Sequence, residues 1–226
     1  MKIDLHVHTS EISRCGLMTA EETIRRYRDA GYGAIVIANH FNPWTARGLA
    51  EQGRLDSDFT SCYFRTVRMA KEIGKTYGVI VFPGMEMNFE NDRNDYLVYG
   101  MPESAVKDVD SMFQMGFPEF SKLAAAENAL IYQAHPFRNG MTVTDPSLLF
   151  GIEVMNCNPR HDGRNDIAEQ WALRHHLHQI GGSDCHRVED VGTAGIITDR
   201  PVENLEDLIQ ILRNDEYRVF GSGAKE

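Results

Sequence analysis

Five predicted strands in this chain each carry a histidine or a carboxylate at or just after their C-terminal end, and that recurrence restricts the folds open to it. The first is Lys2-Ile3-Asp4-Leu5-His6-Val7-His8-Thr9, which closes on His-x-His. A strand turns successive side chains to opposite faces, so His6 and His8 face the same way, about 7 Å apart along the strand. The run over 34–38 delivers Asn39-His40, and that over 79–85 delivers Glu86. The run over 130–134 delivers His135, and that over 178–182 opens onto Ser183-Asp184-Cys185-His186. Apolar runs of this length, bounded by turn residues, mark parallel strands buried on both faces.

Helical patterns alternate with these runs. Thr19-Ala20-Glu21-Glu22 is a capping box, with Thr19 as N-cap and Glu22 three residues on, and it opens a helix that ends at Gly31. Further helices are predicted over 59–77, from Pro118 to 128, over 166–176 and over 202–213. Further strands are predicted over 95–100, 151–155 and 194–198. Residues 41–58 read as a polar, Gly-containing excursion around Trp44. With no repeat, low-complexity tract or linker, residues 1–226 are expected to form a single α/β domain of six or seven strand–helix units. A closed barrel gathers all the C-terminal strand ends around one cavity, and an open doubly wound sheet is the alternative.

A formal net charge of −10 argues against a face for extended nucleic acid, which would need a basic stripe. It leaves room for small nucleotides and for carboxylates that converge on cations. The four cysteines (Cys15, Cys62, Cys157, Cys185) show no CxxC pairing, so disulfides are not expected. Without an apolar run long enough to span a membrane or a leader-like N-terminus, the expected location is the cytoplasm.

Seven chemistry-bearing side chains at the ends of five strands exceed the three protein ligands usual for a mononuclear catalytic site. Imidazole with carboxylate and no thiolate pair suits Zn, Mn or Fe in a catalytic role. A carboxylate can bridge two ions and an imidazole cannot, which makes Glu86 and Asp184 the bridge candidates. Two or three divalent ions that activate water and neutralise leaving oxygens suit phosphoester hydrolysis. His175, His176 and His178, on and after a helix, read as surface or packing residues.

In these motifs the chain resembles the PHP (polymerase and histidinol phosphatase) family. They are Asp4-Leu5-His6-Val7-His8-Thr9, Asn39-His40, Gly84-Met85-Glu86, Ala134-His135-Pro136 and Gly182-Ser183-Asp184-Cys185-His186, in order along the chain. The resemblance implies a distorted (βα)7 TIM-like barrel holding up to three metals, and phosphoesterase activity. It implies that His6, His8, Glu86 and Asp184 hold the first ion, that Glu86 bridges to a second held also by His135, and that His40 and His186 hold the third.

Three positions depart from the family pattern. Asp95 stands where the family often has a His before the strand over 97–100, and a carboxylate there favours a harder second ion such as Mn or Fe. The loop after His8 lacks the family's usual Asp or His. Glu11 is the expected third-site ligand, with Cys15 the second choice. Asn39 replaces a common Asp, and a neutral amide is expected to support its neighbours less.

Arg138, three residues past His135, is a candidate for the substrate phosphate through its planar fork, with Arg160 and His161 weaker candidates. His186 or His40 is the candidate acid for the leaving alkoxide. Glu153, inside its strand, is expected to line the barrel. The expected substrate is a small phosphomonoester or nucleotide, with a short oligonucleotide within range. The rival readings are a metal hydrolase acting on an amide or lactone and a metal-binding module without chemistry. Oligomeric state is not legible.

Overall fold

The computed structural model describes residues 1–222. Its strands are β1 (Lys2–Val7), β2 (Ala34–Ile37), β3 (His40–Phe41), β4 (Ile80–Met87), β5 (Tyr96–Tyr99), β6 (Leu130–Gln133), β7 (Gly151–Asn156), β8 (His178–Gly182), β9 (Ala194–Ile197) and β10 (Arg218–Gly221). Its helices are α1 (Ala20–Asp29), α2 (Pro43–Glu51), α3 (Phe59–Tyr77), α4 (Val109–Met115), α5 (Phe117–Ala126), α6 (Asn165–His175) and α7 (Leu205–Asn214). The strands follow the order β10-β9-β1-β2-β4-β5-β6-β7-β8, with β3 paired to β4 beside this path. The end of β8 closes onto β1, where His8 N donates to Cys185 O (2.9 Å) and Cys185 N to His6 O (3.1 Å). The result is a nearly closed, distorted barrel.

The distortion is in strand direction. The pairs β1–β2, β2–β4, β6–β7 and β7–β8 are parallel, as buried apolar runs predict. β5 runs against both β4 and β6, and β9 against both β1 and β10. The short polar turn between β4 and β5 leaves no room for a crossover helix, so this unit closes as a hairpin.

Alternation sorts the strands into two apolar layers. Ala34, Val36 and Ala38 join Ile3, Leu5, Leu97 and Tyr132 inside the barrel, where α7 packs Leu208, Ile211 and Leu212. Ile35, Ile37, Val98 and Ile131 face the helices instead, against Ile24, Tyr63 and Phe120. α1 forms as predicted, with Thr19 accepting from Glu22 N, and α3 spans the predicted residues with Asp58 as its cap.

The 41–58 excursion contains a helix. Asn42 caps α2 by accepting from Thr45 N, and Pro43 occupies the first turn. No described helix is long and apolar enough to cross a membrane.

Candidate metal centre

Strict alternation would put Asp4, His6 and His8 of β1 on one face. The register slips by one residue between Asp4 and Val7, a bulge that changes the phase of the strand. Asp4 therefore turns outward, where Tyr27 Oη of α1 (2.7 Å) and Ser183 N (3.1 Å) donate to its carboxylate. Burial pushes the Asp4 carboxyl up to about 6 against those donors. His6 and His8 turn into the cavity, their rings 5.0 Å apart. A second slip lies in β7 between Glu153 and Met155. It aims Glu153 across β8 at β1, and His6 Nδ1 donates to Glu153 Oε1 at 3.0 Å.

Gly182 of β8 lies between the two partners. A Cβ there would overlap His6 Cβ and stand 3.0 Å from Glu153 Oε1. Glycine is required here by this close approach.

These contacts fix the tautomers. A carboxylate accepts, so the His6 proton sits on Nδ1 and leaves the Nε2 lone pair facing the cavity. His8 is set the same way by a longer relay. Asn39 Oδ1 accepts from Ser13 Oγ (2.9 Å) and Thr9 N (2.7 Å), so the Ser13 oxygen accepts from His8 Nδ1 (3.1 Å) and His40 N (3.0 Å). The neutral amide at 39 thus orients His8 through a hydroxyl. His186 Nδ1 donates to the Asp184 carbonyl (2.7 Å), which turns its Nε2 inward.

His6 Nε2 and His8 Nε2 are buried and make no hydrogen bond. His6 Nε2 lies 3.3 Å from Glu86 Oε1 and 3.6 Å from Asp184 Oδ1; His8 Nε2 lies 3.4 Å from oxygens of the same two carboxylates. Lone pairs facing carboxylate oxygens repel unless a cation lies among them. A proton can take that place: although burial opposes it, the charges of Glu153, Asp184 and Glu86 hold the His6 ring well above its ordinary value. His8 is held well below its ordinary value by burial and by neighbouring His186 and His40. Burial favours the neutral acids, yet the surrounding imidazoles keep Glu86 and Asp184 well below the usual carboxylate range.

The donor set also fits divalent ions. Three groups have ligand atoms within 4.8 Å of one another: His6–His8–Glu86, Glu86–Asp95–His135 and His8–His40–His186. Glu86 belongs to two groups, as a bridging carboxylate would, and lies 2.6 Å from His40 Nδ1. Asp184 reaches His6, His8 and His186. His135 (φ +30°) and Asp184 (φ +51°) both occupy left-handed backbone, which costs about 1–3 kcal/mol each and is found where a side chain must be aimed. Asp95 stands with His135 as the sequence suggests, its Oδ2 3.9 Å from His135 Nε2. Burial and the Glu86 charge raise the Asp95 carboxyl to about 6.

Glu11 does not join the cluster, which corrects the expectation for the loop after His8. Both its oxygens accept from Ala20 N (2.9 and 3.2 Å) in the first turn of α1, where an unpaired amide and the helix dipole favour a carboxylate. Cys15 is the loop residue at the cavity, with Sγ 3.2 Å from His40 Nε2. Against burial, His186 and His40 lower its thiol to about 6. Cys185 points away from the cluster toward Arg187 O.

Beyond the cluster the cavity measures about 330 Å³ and is bordered by Arg138, Arg187 and His161. Arg138 is held loosely, Nη2 3.5 Å from Asp95 Oδ2. Arg160 is committed elsewhere: it grips buried Asp190 with both nitrogens (2.9 and 2.6 Å), and Asp190 in turn accepts from His186 N and Arg187 N. His175 packs on Trp171 and His178 stacks on Phe150, both remote from the cavity.

Ser13, Asn158 and Arg187 are contributors that the sequence reading passed over, and Glu153, expected only to line the barrel, supports His6. Asn158 Nδ2 donates to Asp184 Oδ2 at 3.2 Å. Glu153 left a signal, a carboxylate inside an otherwise apolar strand.

The resemblance carried by the motifs is borne out. Residues 162–217, which include Asp184 and His186, match the family model described as PHP-associated. No curated protein matches the sequence. Among solved structures, the chain is similar to a two-domain protein from Bacteroides vulgatus ATCC 8482 containing a predicted PHP-like metal-dependent phosphoesterase. That match has TM-score 0.69 and 19% identity, over 98% of this chain and 65% of the other. The chain is also similar to the lesion-specific endonuclease EndoQ from Pyrococcus furiosus (TM-score 0.59, 13% identity, 96% and 57% covered). A third match is an amidohydrolase from Chromobacterium violaceum with bound sulfate and no metal (0.53, 19%, 85% and 90%). The chain thus spans less than two thirds of the first two. At these identities the structural matches establish the fold.

Proposed function

We propose that this chain belongs to the PHP family and is a metal-dependent phosphoesterase acting on a small phosphomonoester or nucleotide, a reading supported by its fold and its 162–217 segment. The observation that carries the reading is three ligand groups joined through Glu86 and His8 at the floor of a cavity whose rim is guanidinium. His6, His8, Glu86 and Asp184 would hold one ion, Glu86, Asp95 and His135 a second, and His40 with His186 a third. Bound divalent ions supply Lewis acidity and a nucleophile from water near neutral pH.

The chain's own groups supply the rest. Arg138 presents a planar fork suited to two oxygens of one phosphoryl group. Its partner Asp95 is far enough away, and Arg138 exposed enough at 24%, for the guanidinium to turn to a substrate. His40 and His186, 22% and 11% exposed, are the cluster rings that reach the mouth. Either one, where a ring nitrogen is free of metal, is placed to give a proton to the leaving alkoxide. His6 and His8 have no such access. A cavity of about 330 Å³ is near the lower end for small-ligand sites, in keeping with a compact substrate or the end of a longer one.

The test is a hydrolysis screen of the purified protein loaded with Mn or Zn, across phosphomonoesters, short oligonucleotides, amides and lactones, with ions counted per chain. Phosphate release, lost in His8→Ala and Glu86→Gln with the fold retained, supports the reading. Turnover confined to amides or lactones overturns the phosphoester class. A protein that binds no ion is a module without this chemistry.

A further inference from the structure

The loop over 9–18 is where this chain departs most from the family pattern, and its backbone is firmly held. Leu17 N donates to His186 O (2.8 Å), Ser10 N to Met18 O (2.8 Å) and Gly16 N to Ser13 O (2.9 Å), while Ile12 is fully buried beneath. These bonds place residue 15 beside His186 and His40. Glu11 is engaged at α1, and the Arg14 side chain folds against Gly48 of α2. Among the described residues the loop therefore brings one donor to the third group, the Cys15 sulfur.

The two imidazoles of that group are already aimed. His186 Nε2 is turned inward by the bond its Nδ1 makes to the Asp184 carbonyl, and the ligand atoms of His40 and His186 lie within 4.8 Å of each other.

We propose that Cys15, as a thiolate, is a ligand of the third ion together with His40 and His186. The inference rests on the metal-centre reading above. It has a chemical consequence: the centre becomes soft at one end and hard at the other. A thiolate with imidazoles selects zinc, whereas Glu86 with Asp95 and one imidazole suits a harder ion such as Mn or Fe. The spacing agrees with this. A thiolate sulfur and an imidazole nitrogen sharing one tetrahedral zinc stand roughly 3.5 Å apart, and Cys15 Sγ is 3.2 Å from His40 Nε2. On binding, the thiol proton passes to solvent and the sulfur lone pair to the metal.

The experiment titrates the metal-free full-length protein with Co(II). The readouts are the near-ultraviolet thiolate-to-cobalt charge-transfer band, the number of ions bound, and the alkylation rate of Cys15 by iodoacetamide, located by mass spectrometry. The band is expected to appear with one of the bound equivalents and to vanish in Cys15→Ser, which binds one ion fewer. Zinc should protect Cys15 from alkylation.

Cys15→His guards against loss of the loop fold. It is expected to keep the full ion count without the band. Ions that bind with no band, or a band that persists in Cys15→His, would overturn the inference and leave the metal-centre reading standing. A protein that binds no ion at all would overturn both.

Discussion

Two walls face each other across the pocket, and they are supported differently. On the wall formed by β1, β7 and β8, the groups aimed at the cavity are held from outside it: His6 by Glu153, His8 by Ser13 and Asn39, Asp184 by Asn158. On the wall of β3, β5 and the 9–18 loop, His40, Asp95 and Cys15 lean mainly on other groups of the cavity itself. Buried support fixes ring and tautomer in advance, so the first wall pays little reorganisation when an ion binds. The second wall is more exposed and can adjust. Ion identity and substrate fit are therefore expected to be sensitive to changes on the second wall, and the existence of the centre to changes on the first.

Glu86 joins the walls, and its loss should have the largest effect. Glu86→Gln keeps the shape and removes the charge shared by two ligand groups. Activity should fall by at least about 10²–10³-fold, the scale of losing one group that stabilises developing charge, with fewer ions bound by elemental analysis. Retention of full ion content would show that neither wall depends on it.

The next effect belongs to the first wall. In Gly182→Ala the new methyl must displace His6 or Glu153. Overpacking of this kind costs about 1–3 kcal/mol, read by denaturant unfolding, and ion affinity should fall with it. A variant of unchanged stability and affinity would mean that the two side chains can meet without the gap. Glu153→Gln isolates the support itself. It should weaken ion binding about 10–100-fold by chelator competition with the fold intact, and rescue by Asp should be poor because the shorter side chain falls short across β8.

The first wall was only partly legible in the sequence. The apolar runs and their terminal His, Glu and Asp residues could be read directly, because buried parallel strands have few other sequence solutions. The two bulges could not, since each is a mismatch of register between partners and neither partner encodes it alone. Without the bulge in β7, a carboxylate at 153 reads as a barrel-lining residue. Glu11 was misplaced because the chain offered it two cationic ends, the ion cluster and the amide end of α1, and the choice between them is made by the turn of the loop. The α2 helix was missed although Asn42-Pro43 is a cap signal, because the polar residues after it mask its buried face.

Proton competition tests the first wall without mutation. In the metal-free protein the folded state holds a proton on His6 well above the ordinary imidazole value. That contribution to stability is fully present below the unfolded value of about 6.5 and is lost as pH rises through the raised folded value. An ion must displace the same proton, so apparent ion affinity should rise with pH over that window. The slope should be shallower in Glu153→Gln, where the charge retaining the proton is gone. A slope unchanged by that substitution would place the competing proton elsewhere.

The smallest effect on stability is predicted on the second wall, at Arg138. Its guanidinium lies 3.5 Å from Asp95 Oδ2, too long for a strong pair, and Asp95 is 14% exposed. Little holds Arg138 in place, so little stability should be lost in Arg138→Ala. What should change is substrate binding. Loss of a charge-assisted hydrogen bond is worth about 1.5–3 kcal/mol, which is roughly a ten- to hundredfold rise in KM for a phosphorylated substrate if the contact is made equally in ground and transition states. Arg138→Lys should recover part of this, since an ammonium keeps the charge without the fork. If kcat falls and KM holds, Arg138 acts on the reacting group alone. The second wall would then share in the chemistry as well as in recognition.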